Sequence, residues 1–133
     1  MKVHHIGYLV RNIEEARKDF QKLGWENSAP CTFDDLRKIS IQFMNNPENG
    51  GYLIELIEPA EDCSIFSKRL KNFSPIPYHI CYECENLEEK ISELVANDFI
   101  VIREPQIAPA IDNRRVAFLY SGAIGQIELV ENI

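Results

Sequence analysis

Two histidines and two glutamates, His5 and His79 with Glu55 and Glu128, recur at matched places in this chain. Residues 4–15 read HHIGYLVRNIEE and residues 78–89 read YHICYECENLEE. At an offset of 74 (79 − 5), His5 falls on His79, Ile6 on Ile80, Tyr8 on Tyr82, Asn12 on Asn86 and Glu14-Glu15 on Glu88-Glu89. Each half closes on a near-identical segment, Ile54-Glu55-Leu56-Ile57-Glu58 and Ile127-Glu128-Leu129-Val130-Glu131, at an offset of 73 (128 − 55). Self-similarity of this length means two copies of one supersecondary unit. Two imidazoles and two carboxylates are borderline-to-hard donors. They suit one divalent ion (Zn, Ni, Co, Mn or Fe) in an octahedral site with two positions left for water or substrate oxygens.

The faces of the strands sort these residues. Along Val3-His4-His5-Ile6-Gly7-Tyr8-Leu9, alternation sets His5 with Gly7 and Leu9, and His4 with Ile6 and Tyr8. The repeat decides between the adjacent histidines, because position 78 is a tyrosine. Glu55 stands among aliphatic neighbours in Tyr52-Leu53-Ile54-Glu55-Leu56-Ile57. An unpaired buried carboxylate costs several kcal/mol, so it is retained only when paired or bound to a cation. The blander alternative is that Glu55 and Glu128 line a solvated sheet face without metal. Glu58 and Glu131 lie three residues on, hence on the other face, and read as solvated strand-end charges. The pairs Glu14-Glu15 and Glu88-Glu89 open helices, where the helix dipole favours acids.

The elements that must position these residues follow the same repeat. A strand is expected over about 3–10, then an amphipathic helix over 13–23 with Asn12 as N-cap and Gly24 as its stop. Strands follow over about 29–35, 37–45 and 51–58. A proline-bounded connector, 59–76, carries one helical stretch, Ser64 to Leu70. The second unit repeats the order with strand 78–84, helix 86–97 and strands about 99–104, 114–121 and 125–131. Each unit is β-α-β-β-β, and the architecture expected is α+β. We read residues 1–133 as a single domain, with module one at 1–58, the connector at 59–76 and module two at 77–133.

A chain of 133 residues, 45% hydrophobic and 26% charged, can bury a core unaided. The net charge of −7 argues against nucleic acid as a partner, because no basic stripe exists to displace phosphate counterions. No apolar run reaches membrane-spanning length. The sequence enters a strand pattern at once, without a charged-then-apolar leader, which leads us to expect a cytoplasmic protein. Cys31, Cys63, Cys81 and Cys84 fit a reducing compartment. The Cys81-Tyr-Glu-Cys84 spacing lies within a strand, so the two thiols point to opposite faces and neither chelate together nor pair.

Tandem β-α-β-β-β units, each opening on a histidine strand and closing on an I-E-L strand, resemble the vicinal oxygen chelate superfamily. Its members include glyoxalase I (lactoylglutathione lyase), methylmalonyl-CoA epimerase, extradiol dioxygenases and the metal-free bleomycin-resistance proteins. The resemblance covers essentially the whole chain and is strongest to the epimerases. It rests there on HHIG with the N-I-E-E-A helix start, on I-E-L-I-E-P, on Ser64-Ile65-Phe66 through Leu70-Lys71 leading into YHICYE, and on Arg115-Val116-Ala117-Phe118-Leu119. Two departures stand out. The turn before the last strand is reduced to Ser121-Gly122-Ala123-Ile124-Gly125, and only Asp34 and Asp35 stand near the place of the epimerases' second acid/base.

The resemblance implies a curled, cup-shaped mixed sheet with the helices outside, and a metal held by His5, Glu55, His79 and Glu128. It implies a lyase, isomerase or epimerase that moves a proton next to a metal-polarised carbonyl, through an enediolate or thioester enolate. Glu128 is then the first candidate for the base and Glu55 the second. The expected partner is a small thioester or hemithioacetal. A homodimer is expected, with the modules paired within one chain or by exchange between two. A metal-free binding protein and an Fe(II) dioxygenase of the same fold are the alternatives.

Overall fold

In a computed structural model, which describes residues 1–61 and 74–132, the order of elements matches the repeat closely. Module one comprises β1 (Lys2–Leu9), α1 (Ile13–Lys22), β2 (Glu26–Asn27), β3 (Thr32–Asp34), β4 (Ile39–Asn46) and β5 (Tyr52–Pro59). Module two comprises β6 (Ile76–Cys84), α2 (Leu87–Ala96), β7 (Ile100–Ala108), β8 (Arg114–Ser121) and β9 (Gly125–Glu131). By spatial contacts the chain groups into two compact units, His5–Tyr78 and His79–Ile133, the latter with Met1–His4. The helical stretch expected over Ser64 to Leu70, and Cys63, lie outside the described residues. Among the described residues no helix is long and apolar enough to cross a membrane.

The sheet of each module is mixed. In module one β1 runs parallel to β5, β4 pairs antiparallel with β5, and β2 and β3 both pair antiparallel with β4. In module two β6 runs parallel to β9, β8 is antiparallel to β9, and β7 is antiparallel to β8. One face of each sheet is closed by its own helix. Val10, Ile13, Met44, Ile54 and Leu56 form the core under α1, with Tyr8, Ala16, Phe20 and Trp25 packed against it. Cys84, Leu87, Ala117, Leu119, Ile127 and Leu129 form the equivalent core under α2. The class is α+β.

Matching caps start and stop the helices. Asn12 Oδ1 accepts the Glu15 N–H and Asn86 Oδ1 accepts the Glu89 N–H, each at 2.9 Å, which satisfies one orphan donor of each first turn. At the other end, Gly24 N donates to Gln21 O and Trp25 N to Phe20 O; Asp98 N donates to Val95 O and Phe99 N to Leu94 O. Both are Schellman turns, which place one residue in the left-handed region. In module one that residue is Gly24, at φ 93°, and in module two it is Asp98, at φ 70°. A β-carbon there costs about 1 kcal/mol. Asp98→Gly is therefore expected to stabilise the protein by about 0.5–1 kcal/mol, seen as a rise of about 3 °C in Tm by thermal melting. An unchanged or lower Tm would count against this reading of the turn.

The structure departs from the expected strands where proline intervenes. The strand expected at 29–35 is cut back to β3, Thr32–Asp34, with Pro30 and the two-residue β2 before it, and its equivalent β7, expected to end near 104, runs on through Pro105 to Ala108 with two register shifts. Proline cannot donate to a ladder and is confined to edges and irregularities, where both of these segments lie. Gln42, 1% exposed, spans the break by donating from Nε2 to Ala29 O at 2.6 Å.

The strand-end glutamates are also more than solvated charges. Glu58 Oε1 accepts the Ile13 N–H at 2.7 Å and so ties the end of β5 to the first turn of α1. Glu131 takes the Arg115 guanidinium through both carboxylate oxygens, and Arg115 also reaches Glu88 at the start of α2. These hydrogen bonds hold Glu88 and Glu131 below the usual carboxylate range. Long-range partners of this kind leave no local pattern.

Candidate metal-binding residues

The helix-free face of each sheet carries the residues singled out by the repeat. In β1 the buried residues are His5, Gly7 and Leu9, while His4, Ile6 and Tyr8 are less covered, as alternation requires. Gly7 lies opposite Glu55 on the neighbouring parallel strand β5. His5 Nε2 stands 3.5 Å from Glu55 Oε1, with the two residues 1% and 5% exposed. Module two repeats this. Cys81 lies opposite Glu128 on β9, and His79 Nε2 stands 2.7 Å from Glu128 Oε2, at 5% and 3% exposure. The structure thus brings His5 to Glu55 and His79 to Glu128, each pair joining the first and last strand of its own module.

The donors fit a divalent ion. Imidazole nitrogen and carboxylate oxygen bind such ions at about 2.0–2.2 Å, which places neighbouring donors of an octahedral site about 3 Å apart. The two His–Glu separations, 3.5 and 2.7 Å, bracket that spacing. In both pairs the atom facing the carboxylate is Nε2. With their surroundings desolvated, four such groups are costly unless their charges are compensated.

The candidate second acids are engaged otherwise. Asp34, 1% exposed, accepts Arg37 NH1 at 2.6 Å on one oxygen and the Arg37 N–H at 3.0 Å on the other, so it staples the turn between β3 and β4. Asp35 pairs with Lys38 at the surface. Cys84 belongs to the helix-side core, its Sγ 3.6 Å from Val130 O, and burial pushes its thiol pKa up. Cys81 is fully buried on the opposite face, and neither thiol is in a disulfide.

Two residues of this face escaped the sequence reading. Phe43 on β4 pairs directly with Glu55, and Phe118 on β8 pairs directly with Glu128. Phe43 meets the His5 ring edge-on, with centroids 5.2 Å apart and planes at 83°. Phe118 meets His79 in the same way, at 5.6 Å and 85°. Their offset of 75 (118 − 43) differs from the 74 and 73 of the first and last strands, which set Phe43 on Ala117 or Val116, so the repeat read from those strands does not align them.

Comparison with known proteins places this geometry. Residues 4–118 match the family model described as the glyoxalase/bleomycin resistance protein/dioxygenase superfamily. No curated protein sequence matches the chain. A hypothetical protein from Bacillus halodurans C-125 is similar in structure at a TM-score of 0.85 and 26% identity, over 99% of this chain and 94% of that one. Methylmalonyl-CoA epimerase from Mycobacterium tuberculosis is similar at a TM-score of 0.85 and 21% identity, over 98% and 87% of the two chains. A Streptomyces coelicolor methylmalonyl-CoA epimerase variant in complex with 2-nitronate-propionyl-CoA follows at a TM-score of 0.82 and 17% identity, over 99% and 94%. With two βαβββ modules, each bearing its buried His–Glu pair, and a family match spanning 115 residues (4–118), the chain belongs to the glyoxalase/bleomycin resistance protein/dioxygenase superfamily.

Proposed function

We propose that the protein is a metal-dependent isomerase or lyase of small acyl compounds, in which residues 1–133 act as one domain and His5, Glu55, His79 and Glu128 together hold one divalent ion. The observation that carries this reading is the buried His–Glu pair, built twice from the same strand positions. A single buried pair is common as a structural device. Two copies of it, each with Nε2 toward the carboxylate, supply the four donors of one octahedral ion with two positions left over.

When bound, such an ion polarises a substrate carbonyl and stabilises the charge that develops on its oxygen, an effect worth several kcal/mol. The residues of this chain then have distinct tasks. His5 and His79 are neutral donors whose orientation sets the geometry. Glu128, or failing it Glu55, would take the proton from the carbon next to the carbonyl, a role that requires hydrogen-bond reach of that proton. With Asp34 held by Arg37 and Asp35 by Lys38, neither serves as a second base. The substrate class is a thioester or hemithioacetal; the solved neighbours named above as methylmalonyl-CoA epimerases support the thioester. We further propose a cytoplasmic homodimer.

The test uses the purified protein. It is expected to contain about one divalent ion per chain by elemental analysis. It should also exchange the α-proton of a 2-methyl-branched acyl thioester for solvent deuterium, with loss of exchange on chelation. A protein that carries no ion and regains none from Zn, Ni, Co, Mn or Fe(II) would refute the proposal and point to metal-free binding. Oxygen consumption in place of exchange would point to a dioxygenase.

A further inference from the structure

We infer that Phe43 and Phe118 are positioning residues that fix the imidazole planes of His5 and His79, and so set the affinity and geometry of the proposed metal site. The inference rests on the reading of that site just given. Over β4 and β8 aligned at an offset of 75 (118 − 43), Phe43 and Phe118 are the one identity; their neighbours differ, Gln42 against Ala117 and Met44 against Leu119. Those neighbours face the helices, where Met44 and Leu119 pack into the two cores. The phenylalanines face the other way, toward the His–Glu pairs.

Each of them has the same three-way relation. The ring is the direct cross-strand partner of the glutamate and stands nearly perpendicular to the histidine. Perpendicular aromatic contacts set the weakly positive edge of one ring against the negative face of the other, and they resist rotation of either. An imidazole has two rotatable bonds, so a hydrogen bond or ligand at Nε2 alone leaves the plane free to swing. Phenylalanine closes that freedom without offering a polar atom that would compete for Nε2. Ligand groups need this support, since sites function only when side chains are held to within about 10–20° of the productive orientation. Loss of supporting contacts typically weakens metal affinity 10- to 100-fold.

Filling space would be the simpler role. Phe118, however, is only half-buried, and a filler would not need to repeat the same ring angle in both modules. Co(II) is a suitable probe because its visible spectrum reports coordination geometry. Phe118→Leu should fold with an ordinary melting transition, bind Co(II) about tenfold more weakly than the parent, and show a shifted visible band. Phe118→Tyr, which keeps the ring, should restore both to within about twofold of the parent. Tyr120→Leu removes an exposed ring from the same face of β8 two residues on, and should leave binding unchanged.

If the parent binds no Co(II), the metal reading fails first and this inference with it. If the parent binds Co(II) and Phe118→Leu matches it in affinity and spectrum, the metal reading stands and the positioning role is refuted. Equal weakening by Tyr120→Leu refutes it as well. Should Phe118→Leu not fold, Phe43→Leu carries the same test through His5.

Discussion

Replacing His79 by alanine is expected to strip the protein of its divalent ion, with elemental analysis falling from about one ion per chain to less than about a tenth. Removal of a directly bound donor should exceed the 10- to 100-fold loss typical of supporting contacts. A second effect follows from burial. Glu128 is 3% exposed and faces His79 Nε2 at 2.7 Å, so the variant leaves a desolvated carboxylate without its neighbour. Leaving a buried polar group without its partner costs about 1–3 kcal/mol, and a lowered Tm accompanies the loss of metal. Metal-linked stabilisation separates the two effects. An ion at a hundred times its Kd stabilises the parent by about 2.7 kcal/mol through mass action, whereas the variant gains nothing from added metal. His4→Ala is the control, since His4 shares the less covered face of β1 with Ile6 and Tyr8. Equal metal content in His79→Ala, His4→Ala and the parent would rule out His79 as a ligand.

The repeat made His79 legible before any coordinates. Strand period fixes which face a residue takes, and a one-residue shift moves it to the other face. Two adjacent histidines in β1 therefore resolve into one on the face of the candidate site and one on the face shared with Tyr8, and the glutamates of β5 and β9 resolve in the same way. The capping Asn12 was equally legible, because a cap acts on a backbone three residues away. Interactions set by strand neighbours distant in sequence were not. Glu58 reads as a strand-end charge until its contact with the Ile13 N–H, 45 residues away, is seen. The bond from Gln42 to Ala29 is invisible for the same reason, and so is the break at Pro30, since a proline within a strand reads equally well as an edge or as an interruption. Asp34 shows the converse. Sequence proximity alone left it available for catalysis, and its two bonds to Arg37 assign it to a turn. The left-handed Asp98 is hidden because aspartate stands where the first module has the diagnostic glycine.

Glu128→Gln is the sharpest test of the chemistry, because it separates holding the ion from moving the proton. Glutamine keeps a carbonyl oxygen at the position of Glu128 Oε2 and has nearly the same shape. Its amide cannot accept a proton at neutral pH. Metal content should therefore remain above about half of the parent value, while α-proton exchange in the thioester falls by about 10²–10⁴-fold, the range a positioned general base contributes. The neighbourhood makes the substitution tolerable. Glu128 pairs with Phe118 on one side and Cys81 on the other, and neither position demands a carboxylate to complete a packed core. Glu55→Gln is the matched comparison, since the two glutamates differ little in burial and each faces a histidine. If Glu128 is the base, the drop is confined to Glu128→Gln; a drop confined to Glu55→Gln would move the role to module one. Exchange at the parent rate in both variants, with metal still bound, would exclude the two carboxylates and require a base from outside the four donors. Activity lost together with the metal would leave Glu128 as a ligand only.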